Sequence, residues 1–269
     1  KQAIFDVAGS LDHGRKIFVV CKLPQISEVV KGDEILPYMT GMNSHDLSYA
    51  AKFWPTDIRS VCMNTLIASI ERNKKAKRQS KGITVKHTKN MRTRLEQGKD
   101  VIRQIVAYHE SFVTHAKLLV NKKMNDKFLR DYFDSVFPAP SENIDQPTRD
   151  DLVRRARETV ARGDTTNFDL LMQQISDYQE PSDTKERHYK ERLSLLHTLY
   201  NSSHCNTPKA IGGTLWSAYN AVTEYVDHRS NTRLVVGADK NETRFNNLLF
   251  GPKAQIKQLA WDNALALTN

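Results

Sequence analysis

The sequence has no apolar stretch long enough to cross a lipid bilayer. Its longest purely apolar runs, such as Ile17–Cys21, extend over only a few residues, whereas a membrane-spanning helix needs about 20. We therefore expect a soluble protein that has no membrane partner.

Cysteine is scarce, and its spacing suits no structural role. The three cysteines, Cys21, Cys62 and Cys205, are far apart and form no CxxC or Cys/His ligand pattern. This spacing argues against a disulfide framework and against a zinc finger. We expect a reducing, cytoplasmic compartment, with no bound metal and no other cofactor.

Acidic residues are almost missing from one long window. Between Arg59 and Arg94 there are eleven lysines and arginines but a single acid, Glu71. The window therefore carries +10, and because the whole chain carries +9, everything else sums to −1. Concentrated positive charge attracts a polyanion. The expected partner is a nucleic acid, with single-stranded DNA favoured.

The residues expected to hold phosphates lie in and around this window. Such cations grip the backbone without reading bases, so their affinity falls steeply with salt. The predicted contacts are Arg15, Lys16, Arg59, Arg72, Lys74, Lys75, Lys77, Arg78, Lys81 and Lys86. The alternative is that the charge run is only a solvated face.

Aromatic residues in the front third offer a second kind of contact. Flat rings can stack on unpaired bases, although aromatic residues of strands also pack in cores. The candidates are Phe5, Phe18, Tyr38, Tyr49, Phe53 and Trp54.

The front third of the chain has the pattern of a small antiparallel sheet. Two β-branched and aromatic runs flank a turn near His13 and Gly14, which predicts a β-hairpin over Ala3–Leu23. Further strands are predicted at Glu34–Met42, Leu47–Phe53 and Gly82–Thr88.

Helical spacing begins after Pro55. A first helix, predicted over Ile58–Arg72, would pack on the sheet. Further helices are predicted at Met91–Asn121, Phe128–Phe137, Arg149–Arg162, Asp169–Tyr178, Lys185–Tyr200, Thr214–His228, Glu242–Phe250 and Lys253–Leu267.

The order of these elements predicts an α+β fold. An N-terminal antiparallel sheet with a packed helix is followed by a mainly helical C-terminal half. We expect a sheet region with a basic loop over residues 1–137, a linker rich in turn-forming residues over 138–147, and a helical region over 148–269 that packs back on the sheet.

A second set of candidate site residues is polar rather than basic. Its members are Asn43, His45, Asp46, Asn64, His87, Asn220, Glu224, Asp227 and His228. Glu224 and His228 are four apart and hence neighbours on a helix. Such acids and histidines can hold a divalent ion for hydrolysis, and Cys62 with a histidine can form a nucleophile and base. The spacing matches no catalytic or ligand signature, so we favour a structural role and a protein that is not an enzyme.

Several motifs together resemble the conserved phage/plasmid-like protein family, a domain of unknown function found in phages, plasmids and bacteria. They are the segment Asn43–Asp46, the run Arg59–Leu66, the pair His87–Thr88, the helix Asn220–His228 and the segment Phe245–Lys253. The resemblance spans nearly the whole chain. It implies a mobile genetic element as the setting, the cytoplasm of a bacterial host, and further residues before Lys1.

The predicted topology is also similar to the core of phage single-strand annealing recombinases, by analogy of fold alone. We therefore expect a DNA-binding protein that anneals single strands or mediates recombination, without a cofactor and as a homo-oligomer. One alternative is a metal-dependent nuclease or other hydrolase. The other is a structural protein whose basic loop binds an acidic protein partner.

Overall fold

The computed structural model describes most of the chain outside the basic window. The described residues are 3–11, 13–46, 50–61, 64–67, 83–85, 98–140, 149–162, 165–176, 183–231, 240–249 and 251–268. Within these ranges an antiparallel sheet is followed by a mainly helical half, which confirms the predicted α+β class.

The sheet contains seven described strands. They are β1 (Ile4–Leu11), β2 (Lys16–Lys22), β3 (Ser27–Glu28), β4 (Glu34–Ser44), β5 (Ala51–Arg59), β6 (Asn64–Ile67) and β7 (Ile83–Val85). The main order is β1-β2-β4-β5-β6, while β3 pairs with β4 and β7 pairs with β5. All pairs are antiparallel.

The predicted N-terminal hairpin is confirmed. Strands β1 and β2 pair from Ile4↔Lys22 to Leu11↔Lys16. His13 and Gly14 both have positive φ angles, 54° and 85°. Glycine enters this left-handed region freely, and histidine does so more readily than most residues, so the local sequence suits the turn.

The predicted helix over Ile58–Arg72 is wrong at its start. The strand predicted to end at Phe53 instead continues through Pro55 to Arg59 as β5, and residues 64–67 form β6. Pro55 lies between the stretch of β5 that pairs with β7 and the stretch that pairs with β6. A residue without an N–H can therefore remain in the strand, because the ladder is interrupted beside it.

Strands β6 and β7 lie along the same edge of β5, one after the other. Ile67 pairs with Asp57, and Ile83 pairs with Phe53. The chain thus leaves β5 and returns to it about 13 Å away, taking a rise of about 3.3 Å per residue. Residues 68–82 are inserted at a point where only Trp54, Pro55 and Thr56 of β5 intervene.

The helices follow the predicted order. They are α1 (Gly98–Asn121), α2 (Asp126–Val136), α3 (Arg149–Ala161), α4 (Thr165–Ser176), α5 (Asp183–Tyr200), α6 (Leu215–Glu224), α7 (Lys240–Leu249) and α8 (Pro252–Ala266). A short 3₁₀ turn (Lys209–Ile211) precedes α6, and a π turn (Tyr225–Arg229) extends it. No helix in the described part of the chain is long and apolar enough to cross a membrane.

The chain divides into two compact units. Residues 1–136 and 195–269 form the first, and residues 137–194 form the second. The C-terminal helices therefore belong to the same unit as the sheet, while α3, α4 and the first part of α5 make up the second unit. In the second unit, Arg192 lies over the ring of Phe137, with 5.1 Å between the guanidinium carbon and the ring centroid.

Helix α6 is the central element of the first unit. Every residue from Leu215 to Glu224 is buried. Thr214 caps the helix by accepting a hydrogen bond from Ser217 N at 3.3 Å. Its aromatic residues meet those of α1 and α8: Phe112 stacks on Trp261 at 4.4 Å between centroids, and Trp261 meets Tyr219 edge-on at 5.2 Å. This aromatic packing joins three helices into one core.

Tyr38 ties the outer strand β1 to β4. Its hydroxyl donates to Asp6 Oδ2 at 3.0 Å, and burial, followed by this contact, raises the pKa of Tyr38 to about 12. Because the folded state keeps this proton longer than the unfolded state, the contribution of Tyr38 is complete below pH 10 and lost as the pH rises to about 12.

We predict that Tyr38→Phe makes the alkaline loss of unfolding free energy shallower, by up to about 1.4 kcal/mol per pH unit. Urea unfolding across this pH range measures the slope. Asp6→Asn, which keeps an acceptor but removes the charge, should give an intermediate slope. Identical slopes in all three proteins would contradict this assignment.

Candidate nucleic-acid interface

Most of the predicted phosphate contacts lie outside the described residues. They are Arg72, Lys74, Lys75, Lys77, Arg78, Lys81 and Lys86. The structure does locate the anchor points of the segment that carries the first six. Both anchors, Ile67 and Ile83, are on the outer edge of β5, so this basic segment is fastened to the sheet at both ends.

The hairpin tip lies at the end of the sheet toward which β7 runs. Lys16 pairs with Ser44 at the end of β4, and Val85 pairs with Ala51 at the start of β5. Arg15 is exposed, and its carbonyl accepts a hydrogen bond from His45 N at 2.7 Å. Arg15 and Lys16 thus lie at the same end of the sheet as the last described residue before Lys86.

The prediction that Arg59 contacts phosphate is wrong. Arg59 is 0% exposed, and Nε donates to Asp33 Oδ1 at 2.6 Å. Nη1 and Nη2 donate to the carbonyls of His204 and Thr207, at 2.8 and 2.5 Å. A guanidinium that is already surrounded by acceptors and shielded from water has no free face for a phosphate.

Asp33 completes this buried group, which we call the Asp33 clamp (Asp33, Arg59, Trp216 and the carbonyls of His204 and Thr207). The indole Nε1 of Trp216 donates to Asp33 Oδ2 at 2.7 Å. Burial raises the pKa of Asp33, while the charge of Arg59 and the hydrogen bond from Trp216 oppose that rise. The clamp joins the sheet to α6 and to the loop before it.

The predicted polar set does not form one cluster. Asn43, His45 and Asp46 lie at the end of β4 that carries Ser44, whereas Asn64 pairs with Arg59, which pairs with Ile35 at the opposite end of β4. Ile35 and Ser44 are about 30 Å apart at about 3.3 Å per residue. His87 lies outside the described residues.

At the second end, Asn64 contacts part of helix α6 and its π turn. With its amide oriented so that both ends are satisfied, Asn64 Nδ2 donates to Glu224 Oε2 at 2.9 Å and to His228 Nε2 at 3.0 Å. Its Oδ1 accepts from Thr223 Oγ1 at 3.2 Å. The buried amide therefore fixes the positions of a carboxylate and an imidazole.

Asp227 faces a different set of partners. Lys257 Nζ, which is fully buried, donates to Asp227 Oδ1 at 2.9 Å, and Arg244 donates to the Asp227 carbonyl. Lys253 donates to Ser230 O at 3.0 Å, and burial, aided by the charge of Arg244, lowers the pKa of Lys253. Asp227 is thus neutralised by lysine and is not directed toward Glu224.

Asn220 is buried one turn before Glu224. Its Nδ2 donates to Trp216 O at 2.8 Å, and its Oδ1 has no hydrogen-bond partner in the described part of the chain. Asn220 therefore supports the helix rather than the Asn64 contacts.

The polar set does not bring its acids and histidines together around a metal ion. Within the described ranges, no group of three or more histidine, cysteine, aspartate and glutamate side chains has that arrangement. The hypothesis of one metal site shared by His45, Asp46, Glu224, Asp227 and His228 is wrong. The two groups lie at opposite ends of the sheet, whereas direct metal–ligand bonds are only about 2.0–2.6 Å long.

The aromatic candidates also separate. Tyr38 and Trp54 are buried, so neither can stack on a base, and Phe18 and Phe53 are half-buried. Phe5, on the outer strand β1, is 78% exposed. Tyr49 lies outside the described residues.

Sequence reasoning missed a hydrogen-bonded chain of Ser27, His109 and Asp57, which we call the Ser27 relay. His109 Nδ1 lies 2.7 Å from Asp57 Oδ1, and its Nε2 lies 2.9 Å from Ser27 Oγ. Burial raises the pKa of Asp57, and His109 opposes that rise. The available signal was a histidine on the apolar stripe of a helix, between Ile105 and Phe112.

Residues 1–249 match the family described as "Domain of unknown function (DUF932)". The chain belongs to this family. The DUF932 match covers the whole sheet and ends at Leu249, the last residue of α7, so α8 with Lys257 and Trp261 follows it. No curated protein and no solved structure matches the chain.

We predict that Asp33→Ala lowers the free energy of unfolding by about 3–5 kcal/mol, because Arg59 would remain buried without its counter-charge. Trp216→Phe, which removes only the indole N–H among the polar contacts, should cost about 1.5–3 kcal/mol. Urea unfolding measures both. Glu34→Ala, an exposed neighbour, should change stability by less than about 0.5 kcal/mol, and an equal loss in Asp33→Ala and Glu34→Ala would contradict the role of the clamp.

Proposed function

We propose that the protein binds single-stranded DNA and acts as a strand-annealing or recombination-mediator protein. The observation that carries the proposal is the concentration of charge in residues 72–94, which contain ten lysines and arginines and no acid. Although Arg59 is buried in the Asp33 clamp, residues 72–94 by themselves carry a net charge of +10. Such a density attracts a polyanion over several ångströms and favours contact with a phosphate backbone.

The anchoring of the basic segment supports this proposal. The chain that carries Arg72 to Lys81 starts and ends on the outer edge of β5. Both ends of that chain segment are thus fixed at one sheet edge, and Arg15 and Lys16 add positive charge at the end toward which β7 runs. A strand of DNA that meets these cations at the edge of β5 and crosses the sheet would reach β1 at the opposite edge.

Phe5 supports a preference for unpaired bases. It is exposed on β1, whereas the rings of Tyr38 and Trp54 are sealed in the core. A base in a duplex already stacks on its neighbours, but an unpaired base is free to stack on a protein ring. We therefore assign base stacking to Phe5.

Self-assembly is part of the proposal, because annealing needs many strand-binding units in register. Strand β1 is an outer strand of the sheet, and Ile4, Phe5 and Val7 are all more than half exposed on it. An exposed apolar edge strand favours pairing with another chain. We expect a homo-oligomer that grows on DNA.

The motifs that resemble phage/plasmid-like proteins support a mobile genetic element as the setting. In that setting the protein would act on DNA in the cytoplasm of a bacterial host, without a cofactor.

We predict that changing Lys74, Lys75, Lys77 and Arg78 together to Glu abolishes binding to labelled single-stranded DNA in fluorescence anisotropy. For wild type, log K should fall linearly with log salt, by roughly 0.7 per phosphate contact. The matched control changes Lys117, Lys122, Lys123 and Lys127, all exposed on or beside α1 and α2, to Glu and should bind like wild type.

Unchanged affinity in the first variant would overturn the proposal. Salt-sensitive binding to an acidic protein but not to DNA would instead favour a protein-contact role for the same segment. Light scattering during the titration measures complex size, and complexes that stay at one protein per strand would contradict the annealing mechanism.

We also predict that Phe5→Ala weakens single-strand binding by about 1–3 kcal/mol, with similar losses for different homopolymers, since stacking tolerates any base. Phe128→Ala, which removes an exposed ring from α2, is the control and should leave affinity unchanged. Equal losses in the two variants would contradict a specific role for Phe5.

A further inference from the structure

The Ser27 relay has the connectivity of a nucleophile, a base and an orienting acid. Ser27 comes from β3, His109 from the middle of α1 and Asp57 from β5. The imidazole bridges the other two through its two different nitrogens, at 2.7 Å on the Asp57 side and 2.9 Å on the Ser27 side. Both distances are those of well-formed hydrogen bonds.

The order of the three groups determines which way a proton can move. Asp57 and His109 are each 1% exposed, so the carboxylate has no water to accept from in place of Nδ1–H. Burial raises the pKa of Asp57, and the contact with His109 opposes that rise. In its ionised form Asp57 can only accept hydrogen bonds, which places the ring proton on Nδ1 and leaves the lone pair of Nε2 facing Ser27 Oγ. Nε2 is therefore the acceptor for the hydroxyl proton of Ser27.

Unlike its two partners, Ser27 is within reach of another molecule. It is half-buried, and Gln25, Ile26 and Glu28 around it are exposed. The buried hydroxyl pair Thr40–Thr56, at 2.9 Å, shows the contrasting case of a polar contact sealed in the core. A serine hydroxyl that is hydrogen-bonded to a base on one side and accessible to a substrate on the other can act as a nucleophile.

We propose that Ser27 is a nucleophile that attacks activated acyl esters, with His109 as its general base and Asp57 as the residue that positions His109. None of these three residues is among the proposed DNA contacts, although Asp57 pairs with Ile67, where the basic segment begins. Ser27 pairs with Ile35, at the end of β4 opposite Ser44 and the hairpin tip, about 30 Å away at about 3.3 Å per residue.

The proposed reaction is ester hydrolysis in two steps. In the first, the Oγ of Ser27 bonds to the carbonyl carbon, the carbon–oxygen bond to the leaving group breaks, and the Oγ proton passes through His109 Nε2 to the leaving alkoxide. In the second, water gives a proton to Nε2 and attacks the acyl carbon, and the proton returns to Oγ as the acid departs. One ester and one water yield one acid and one alcohol, and Ser27 is regenerated.

The same helix provides a matched control. Ser111 Oγ lies 3.4 Å from His115 Nδ1, and His115 Nδ1 is also 2.7 Å from the Ser111 carbonyl. Among the residues that the structure describes, no carboxylate is hydrogen-bonded to His115. If proximity of serine to histidine were enough, both serines would react. If the orienting acid matters, only Ser27 will.

The test uses the full chain and a biotinylated fluorophosphonate, which loses fluoride as the serine Oγ bonds to phosphorus. We expect peptide mass mapping to show one adduct on Ser27, absent from Ser27→Ala and from protein unfolded in urea, but retained in Ser111→Ala. Hydrolysis of p-nitrophenyl acetate should be lost in Ser27→Ala, while its circular dichroism and its affinity for single-stranded DNA stay those of wild type.

Asp57→Asn tests the positioning role. Asn keeps the shape of the side chain but does not hold the ring proton on Nδ1, so we expect labelling of Ser27 to slow by about 10²–10⁴-fold and its dependence on pH to change. Absence of a Ser27 adduct on folded wild-type protein would overturn the proposal. So would labelling of Ser111 at a similar rate, or labelling of Asp57→Asn at the wild-type rate.

Discussion

The architecture depends on a charge pair that is entirely removed from water. Taking a guanidinium and a carboxylate out of water costs several kcal/mol per ion, and their attraction offsets this cost only when the remaining donors and acceptors are also satisfied. In the Asp33 clamp that condition is met: Arg59 reaches Asp33 and two carbonyls, and Asp33 also accepts from the indole of Trp216. The geometry of the sheet relative to α6 is therefore narrowly determined, because a small displacement would leave a buried charge without a partner.

The clamp also explains how a helix without an exposed side keeps one orientation. Helix α6 is buried all around, so hydrophobic contact alone gives little preference for one rotation about its axis. Directional bonds supply that preference: Trp216 faces Asp33 at one end, and Thr223 and Glu224 face Asn64 at the other. Beyond Glu224 the π turn carries Asp227 toward Lys257 of α8.

What the sequence could predict was set by the range of each interaction. The turn at His13–Gly14 and the apolar stripe of α1 are local, so pattern alone located the hairpin and that helix. Arg59 was misread because it was counted as the first residue of the basic window, although the next basic residue is Arg72. Its partners are Asp33 and carbonyls 145 and 148 residues away. The polar set was wrongly grouped into one site for the same reason, because its members lie at opposite ends of β4 and the sequence does not show that distance. In the Ser27 relay, His109 is 82 residues from Ser27 and 52 residues from Asp57 in the sequence. The only sequence signal was that His109 interrupts the apolar stripe of α1.

Because β6 and β7 pair with β5 independently, the length of the basic segment between them does not affect the pairing of the sheet. Because both flanks are held by β5, residues can be added to or removed from this segment without shifting any other strand pair. The entropy of closing a flexible loop grows only with the logarithm of its length, so that doubling it costs about 0.6 kcal/mol. The number of positive charges in this segment can thus change while the strand pairs around it stay the same, so a change in length at this edge of β5 costs the fold little.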